Sequence, residues 1–177
     1  MYLLAINQRE GIQDAGSQAD VVRFARTKDY ADWVARLQSF PESVEQTIEL
    51  LREGIRQGMV QPRVVMQRVP AQVERQMVQD PAQSLFFKPF RRFPEEVPPE
   101  ERERLTRAAE RSIAERIVPA YRALYEFLRD EYLPACTETV GAWQLPRGEE
   151  LYALRARQFT TTELTPREIH DIGLAEV

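Results

Sequence analysis

PPEERERLTRAAERSIAERIVPAYRALYEFLRDEY, residues 98–132, is the stretch that decides the fold class. Its apolar residues recur every three or four positions, which is the repeat of one face of an α-helix. These residues are Leu105, Ala109, Ile113, Ile117, Tyr121, Leu124, Leu128 and Tyr132. The pattern predicts the longest helix of the protein, over residues 99–133. A bend is expected at Pro119, because a proline inside a helix removes one backbone hydrogen bond.

Helical periodicity also fills residues 28–79. One amphipathic helix is predicted over Asp29–Phe40 and a second over Glu42–Gln57. Pro41 is expected to separate them, because the residue before a proline avoids the helical conformation. Gly58 stands where a helix-ending glycine is common, so the second helix should finish there.

A third helix is predicted to begin at Pro62 and to kink at Pro70. No two-residue hairpin signal occurs, and no alternating run is long enough for a confident strand. The sequence therefore predicts an all-α protein, an irregular multi-helix bundle with proline-kinked long helices. We expect residues 1–177 to form a single helical region.

Residues 80–98 form the clearest non-helical connection, since four prolines surround an aromatic cluster. The cluster consists of Phe86, Phe87, Phe90 and Phe93. One interpretation is a rigid loop that the phenylalanines hold against the body of the protein. The other is an exposed apolar patch that docks a partner. The sequence leaves both open.

The first 27 residues carry no clear period, and Gly11–Asp20 resembles an irregular polar loop after a short apolar start. Residues 134–177 are expected to contain a turn around Gly141, a second turn at Leu145–Gly148 and a short helix near Glu149–Gln158. A last helix should follow these elements.

That last helix is announced by a capping box. Thr165 is a strong N-cap residue, Pro166 suits the first helical position, and Glu168 lies three residues after the cap. A helix marked so clearly should run for several turns, since short helices are marginal alone. It has only about three turns before residue 177. We therefore expect the helical region to be incomplete and part of a longer protein.

Composition limits the function classes. The 177 residues carry a net charge of −4, so no overall basic field recruits nucleic acid. No apolar run approaches the roughly 20 residues of a membrane span. The short apolar start has no basic leader, so it does not resemble a signal peptide. We therefore expect a cytoplasmic protein that binds neither nucleic acid nor membrane.

The residues offer no complete catalytic or metal site. His170 is the single histidine, and Leu174 stands one helical turn after it. A zinc site of the His-Glu-x-x-His type needs two histidines one turn apart. A thiol enzyme built from Cys136, His170 and Asp171 has no flanking motif to support it. We predict no catalytic residue and no metal ligand in this chain, and no cofactor bound to it.

Landmarks spread along the chain carry a family resemblance. They are Asp29-Tyr30, Trp33, Arg36 and Leu37; Leu51-Arg52-Glu53-Gly54; Pro62 with Val64-Val65; Pro89-Phe90; Pro119-Ala120-Tyr121; Glu131-Tyr132-Leu133-Pro134; Val140-Gly141; Leu145-Pro146, Gly148 and Tyr152; and Thr161-Thr162, Leu164-Thr165-Pro166, Glu168-Ile169-His170, Ile172-Gly173-Leu174 and Glu176-Val177. The chain resembles the bacterial DUF885 proteins, a family of unassigned function that looks like helical zinc metallopeptidases.

The resemblance implies that the family's paired-histidine motif, and its zinc, lie beyond residue 177. It places Tyr152, Thr161, Thr162 and His170 as candidates that border the substrate cleft. The chain would then be the non-catalytic N-terminal-to-middle part of the enzyme and inactive alone. Its expected partner is the missing C-terminal catalytic region or another protein surface, with a homo-oligomer also open. The alternative is a self-sufficient helical interaction or regulatory module.

Overall fold

The computed structural model describes residues 3–176. This part of the chain is helical and contains no strand; one isolated parallel bridge joins Pro62 to Thr137. The α-helices are α1 (Thr27–Arg56), α2 (Arg63–Met66), α3 (Val69–Glu74), α4 (Pro99–Ser112), α5 (Val118–Phe127), α6 (Leu133–Ala135), α7 (Gly148–Thr160) and α8 (Pro166–Ala175). The predicted all-α class is confirmed.

Helices α4, α5 and α6 follow one another without a break, joined by π turns at Ile113–Ile117 and Leu128–Tyr132. All eight residues of the predicted apolar stripe are buried. Most of them are four positions apart, and on a regular helix each step of four rotates the stripe by about 40°. A π turn closes its hydrogen bond five residues back instead of four, as Val118 N–H does on Ile113 O. The extra residue in each π turn brings the stripe back toward the core.

The two prolines inside this continuous helix, beyond Pro99 at its start, lie two residues after a π turn. Pro119 follows the first turn and Pro134 follows the second. A proline ring in a regular helix meets the carbonyl group four residues earlier. The wider π turn relieves that contact, so the helix continues through both prolines.

Helix α1 corrects the predicted boundary at Pro41, which lies inside one helix of 30 residues. A proline in a helix interior costs about 3 kcal/mol. Large apolar residues are buried on both sides of it, including Leu37, Phe40, Val44 and Ile48. Burying each such side chain contributes roughly 1.5–3 kcal/mol. Packing of this stripe against α4 and α5 therefore outweighs the local preference.

Helix α1 ends where the sequence predicted, just before Gly58. This glycine has a φ of 68°, and its N–H donates to Ile55 O at 3.1 Å. Met59 N–H donates to Gly54 O at 2.8 Å. These two bonds make a Schellman motif, in which a left-handed glycine closes the helix.

The predicted third helix is two short helices, α2 and α3. Pro70 occupies the start of α3 instead of kinking a continuous helix. That position suits proline, because its missing N–H would have no helical partner there. Met66, Val69 and Val73 are buried, and Val65 and Met77 are partly buried against the same core.

Residues 80–98 contain two 3-10 helices, Pro81–Gln83 and Leu85–Arg91. Phe86, Phe87 and Phe90 are buried, and Trp33 donates its indole N–H to Phe86 O at 3.0 Å. The phenylalanines hold this segment against the body, as the first interpretation expected, but the predicted non-helical connection is wrong because residues 81–83 and 85–91 are in 3-10 helices. The interpretation as an exposed docking patch is wrong, because these rings are in the core.

Residues Ile12–Asp20 form a 3-10 helix, where the sequence suggested an irregular polar loop. Its buried residues Gln13, Gly16 and Ala19 are three apart, which matches the three residues per turn of a 3-10 helix. A β-carbon on Gly16 would lie 2.9 Å from the β-carbon of Leu85. The missing side chain lets this helix approach the phenylalanine loop closely.

Residues 137–176 form an appendage that we call the C-terminal arm; residues 3–136 are the body. The arm contains a 3-10 turn at Ala142–Gln144, then α7 and α8. Gly148 is its one buried residue, whereas the core runs from Leu3 to Cys136. None of the helices in residues 3–176 has the length and apolar character needed to cross a membrane.

Candidate functional site

The four cleft candidates all lie on the C-terminal arm. Tyr152 is on α7, Thr161 and Thr162 form the connection to α8, and His170 is on α8. All four side chains are exposed, Tyr152 by 53%. Within residues 3–176, no side-chain hydrogen bond joins Tyr152 or His170 to the threonine turn. The structure thus gathers the candidates on one helical hairpin without enclosing them in a pocket.

The threonine turn has a local structural role. Thr161 is left-handed, with a φ of 57°, and its N–H donates to Arg157 O at 2.8 Å. Thr160 donates its hydroxyl to Ala156 O at 2.9 Å and accepts from Thr162 N–H at 3.3 Å. These bonds satisfy backbone groups at the end of α7. The threonine run therefore caps the end of α7.

The N-terminus of α8 has the predicted capping box. Glu168 N–H donates to the Thr165 hydroxyl at 3.2 Å, and Thr165 N–H donates to a Glu168 carboxylate oxygen at 2.7 Å. The Thr165 hydroxyl donates to the same carboxylate oxygen at 2.7 Å, and the bonds from Thr165 N–H and from this hydroxyl keep the pKa of Glu168 below its usual value. The box therefore fixes the direction in which α8 leaves the threonine turn.

No cluster of donor side chains in the described part of the chain suits a zinc ion. Protein zinc sites take three or four ligands from His, Cys, Asp and Glu. Within residues 3–176, no three such side chains are close enough to hold a metal. His170 is exposed on α8, and Leu174 follows it on the same helical face. A zinc centre in a longer family protein would need ligands from residues other than these.

Cys136 is a buried structural thiol. Its side chain is 6% exposed, and the thiol donates to Tyr132 O at 3.3 Å. Burial raises the pKa of Cys136 to about 11, so the nucleophilic thiolate is scarce at neutral pH. His170 is exposed on the arm, whereas Cys136 belongs to the core. The structure does not bring the two residues together as a thiol-enzyme dyad.

This raised pKa predicts a loss of stability in alkali. The unfolded thiol ionises near its ordinary pKa of 9.0, whereas the folded thiol keeps its proton to about pH 11. Below pH 9 the thiol has no effect; as the pH rises from 9 to 11, ionisation favours the unfolded chain. We expect Cys136 to contribute a loss of up to about 2 kcal/mol across this window. Denaturant unfolding from pH 8 to 11.5, with wild type and Cys136→Ala compared, measures it. Parallel pH curves for the two proteins would contradict the assignment.

Two open grooves run beside the segment that connects the body to α7. The first has a volume of about 530 Å³, and Leu3, Met59, Pro146, Leu151 and Leu154 supply its apolar lining. The second, of about 360 Å³, has Val60, Pro62, Val65, Val140 and Leu145 as its apolar lining. These residues were not predicted as a site. The lining is mostly apolar, and Val140 and Leu154 are exposed whereas Leu3 and Val60 are buried.

Comparison with known proteins assigns the chain to a family. The family model described as "Bacterial protein of unknown function (DUF885)" matches residues 3–177. The chain belongs to the DUF885 family. None of the curated proteins matches it.

A solved structure shares the fold of this DUF885 chain. It is a crystal structure described as "the putative lipoprotein from Colwellia psychrerythraea", with a TM-score of 0.88 and 22% sequence identity. The match covers 98% of this chain and 30% of that chain. The DUF885 chain therefore spans about a third of the length of the protein that it resembles.

Several DUF885 landmarks are structural in this chain. Arg52 on α1 donates to both carboxylate oxygens of Glu131, at 2.9 and 2.7 Å, and lies over the Phe127 ring. Tyr132 accepts a hydrogen bond from Gln61 N–H at 3.2 Å. These contacts fix the second π turn against α1 and the α2 region. Sequence spacing alone could not have paired residues 79 positions apart.

Proposed function

We propose that this chain is the non-catalytic N-terminal-to-middle portion of a DUF885 zinc metallopeptidase. In this proposal it packs against a C-terminal catalytic part and borders its cleft. The exposed arm carries the proposal, since it presents Tyr152, Thr161, Thr162 and His170 at a surface with no enclosing wall. Family membership over residues 3–177 and the match to 30% of a longer chain support it.

The body suits the role of a scaffold in that protein. Its core is continuous from Ile6 to Cys136, and the buried tyrosines Tyr121 and Tyr132 both use their hydroxyl groups in hydrogen bonds. A packed body of this kind would anchor the start of the arm, at Thr137 and Glu138, beside the catalytic part. Zinc in the whole protein would supply a Lewis acid and an activated water, with ligands from outside residues 3–176.

The same core also favours a second candidate, a self-sufficient helical interaction or regulatory module. The stripes of α1 and α4–α6 are buried within the body itself, so the body needs no partner to complete its core. In that case the arm would bind another protein, or a second copy of the chain, and no peptidase activity would be associated with it.

A comparison of two polypeptides tests the proposed function. One is the 177-residue chain, and the other is the longest product encoded in frame with it. We expect zinc-dependent peptide hydrolysis, measured with a mixed fluorogenic peptide library, in the longer product alone. Hydrolysis by the 177-residue chain itself would contradict the non-catalytic role. No hydrolysis by a well-folded, zinc-loaded longer product would favour the module.

The proposed cleft residues need a separate test in the longer product. We expect Tyr152→Ala and His170→Ala to change KM or kcat for peptides, whereas Ser39→Ala on the polar face of α1 leaves both unchanged. Unchanged kinetics in both arm variants would remove these residues from the cleft.

The cytoplasmic location stays a prediction, and cell fractionation with antibody detection tests it.

A further inference from the structure

We propose that the C-terminal arm is a docking element whose apolar residues are covered by the remainder of a full-length DUF885 protein. The inference rests on the proposed function and names the surface through which the two parts meet. It assigns the contact to the arm and leaves the body surface free.

The distribution of exposed apolar side chains singles out the arm. It holds less than a quarter of residues 3–176 but eight of the twelve large apolar side chains that are exposed there. These are Val140, Trp143, Tyr152, Leu154, Phe159, Leu164, Ile172 and Leu174. Concentrated apolar exposure of this kind marks an interaction surface. The body carries only scattered examples such as Val21 and Leu50.

The helices of the arm expose whole faces. Tyr152 and Phe159 are seven residues apart on α7, so they lie on one helical face, and Phe159 is 83% exposed. Leu174, 66% exposed, lies one turn after His170 on α8. Helices α7 and α8 pack mainly on each other and on the turn Ala142–Gln144. Short helices with so little packing are marginal in water, so a partner should stabilise them.

The hydrogen bond and the ion pair that tie the arm to the body lie at the beginning of the arm. Arg63 N–H donates to Thr137 O at 2.8 Å, and the Arg63 side chain pairs with Glu138 at 2.5 Å. Past that point the connecting segment borders the two open grooves, and a β-carbon on Gly58 of the body would lie 3.6 Å from Pro146. The exposed apolar faces of α7 and α8 nevertheless stay uncovered by the body.

The charges of the arm are only partly paired within it. Arg147 pairs with Glu150 at 2.5 Å, and Arg157 pairs with Glu163 at 3.4 Å. These four charges are paired inside the arm, whereas Glu149, Arg155, Arg167, Asp171 and Glu176 form no salt bridge within residues 3–176. The exposed apolar side chains, and not the charges, therefore define the surface that a partner would cover. The matched chain from Colwellia psychrerythraea has more than two thirds of its length outside the matched region. The corresponding remainder of a full-length protein is the occupant that we propose.

Thiol labelling tests the docking. Phe159→Cys and Leu174→Cys are introduced into the 177-residue chain and into the longest in-frame product, with Ser39→Cys as the control on the polar face of α1. Cys136 gives a slow background because it is buried. We expect the arm cysteines to react rapidly in the short chain and roughly tenfold or more slowly in the longer product. The Ser39→Cys thiol should react equally in both.

Equal labelling rates of both arm cysteines in the two polypeptides would overturn the docking. So would a slowing of the Ser39→Cys thiol in the longer product as large as that of the arm cysteines. Protection within the short chain that grows with its concentration would overturn it in favour of a second copy. A reading frame that stops at Val177 would overturn it as well. Hydrogen exchange of α7 and α8 in the unsubstituted proteins repeats the test without the loss of an apolar side chain.

Peptide hydrolysis measured on the same samples separates this inference from the proposed function. Protected arm cysteines in a longer product without hydrolysis would keep the docking and remove the peptidase. Hydrolysis by a longer product whose arm cysteines react freely would keep the peptidase and remove the docking.

Discussion

Replacing Trp33 by alanine is expected to lower the free energy of unfolding by about 3–5 kcal/mol, the range typical of a buried tryptophan. The Trp33 ring is 3% exposed and lies 5.6 Å from the Phe24 ring. Its N–H also holds the phenylalanine loop through Phe86 O at 3.0 Å. Alanine would leave a cavity and remove that hydrogen bond, which contributes about 0.5–1.5 kcal/mol by itself.

Trp143 provides the matched control for this change. It is 65% exposed on the arm, so Trp143→Ala should change the stability of the 177-residue chain by less than about 0.5 kcal/mol. Urea unfolding followed by circular dichroism compares the two variants with wild type. Similar losses from both substitutions would contradict the division into a packed body and an unpacked arm.

The second large effect is expected at Gly54, in the last turn of α1. A β-carbon there would lie 2.7 Å from Met59 O and 3.1 Å from Leu3 O. Both neighbours are backbone atoms, so relief requires the Schellman turn or the N-terminal segment to move. We expect Gly54→Ala to destabilise the protein by about 1–3 kcal/mol, the usual effect of overpacking.

Gly173→Ala is the opposite case. It lies in α8, and a β-carbon there meets no atom within 4 Å. Alanine favours a helix over glycine by about 1 kcal/mol, so the helix content of the arm should rise while the body is unaffected. Thermal unfolding and far-ultraviolet circular dichroism give both results. A stable Gly54→Ala protein would show that α1 does not approach the N-terminal segment as described.

The helical class could be predicted because the apolar stripes of α1 and α4–α6 are long and regular. Repeated steps of four from Leu105 to Tyr121 accompany the first π turn, but the same spacing also fits an ordinary helix, so it does not predict the turn. The 3-10 helix at Ile12–Asp20 had a weaker signal, a spacing of three in mostly polar residues. The continuation of α1 through Pro41 could not be predicted from the neighbouring residues, because burial of the apolar stripe in the core decides it.

The candidate site was less accessible to sequence reasoning. Tyr152, Thr161, Thr162 and His170 were selected through the family resemblance, and their roles depend on residues that they do not contact within the described part. The grooves beside Pro146 and Val140 could not be predicted, because they arise from the path of the connecting segment. The DUF885 assignment itself is confirmed over residues 3–177.

The zinc content of the purified proteins tests the central claim most directly. We expect the 177-residue chain to bind zinc only substoichiometrically after dialysis, because its single exposed histidine has no partner ligands in residues 3–176. The longest in-frame product should retain a full equivalent per polypeptide. A full equivalent held tightly by the 177-residue chain, together with peptide cleavage, would contradict the account.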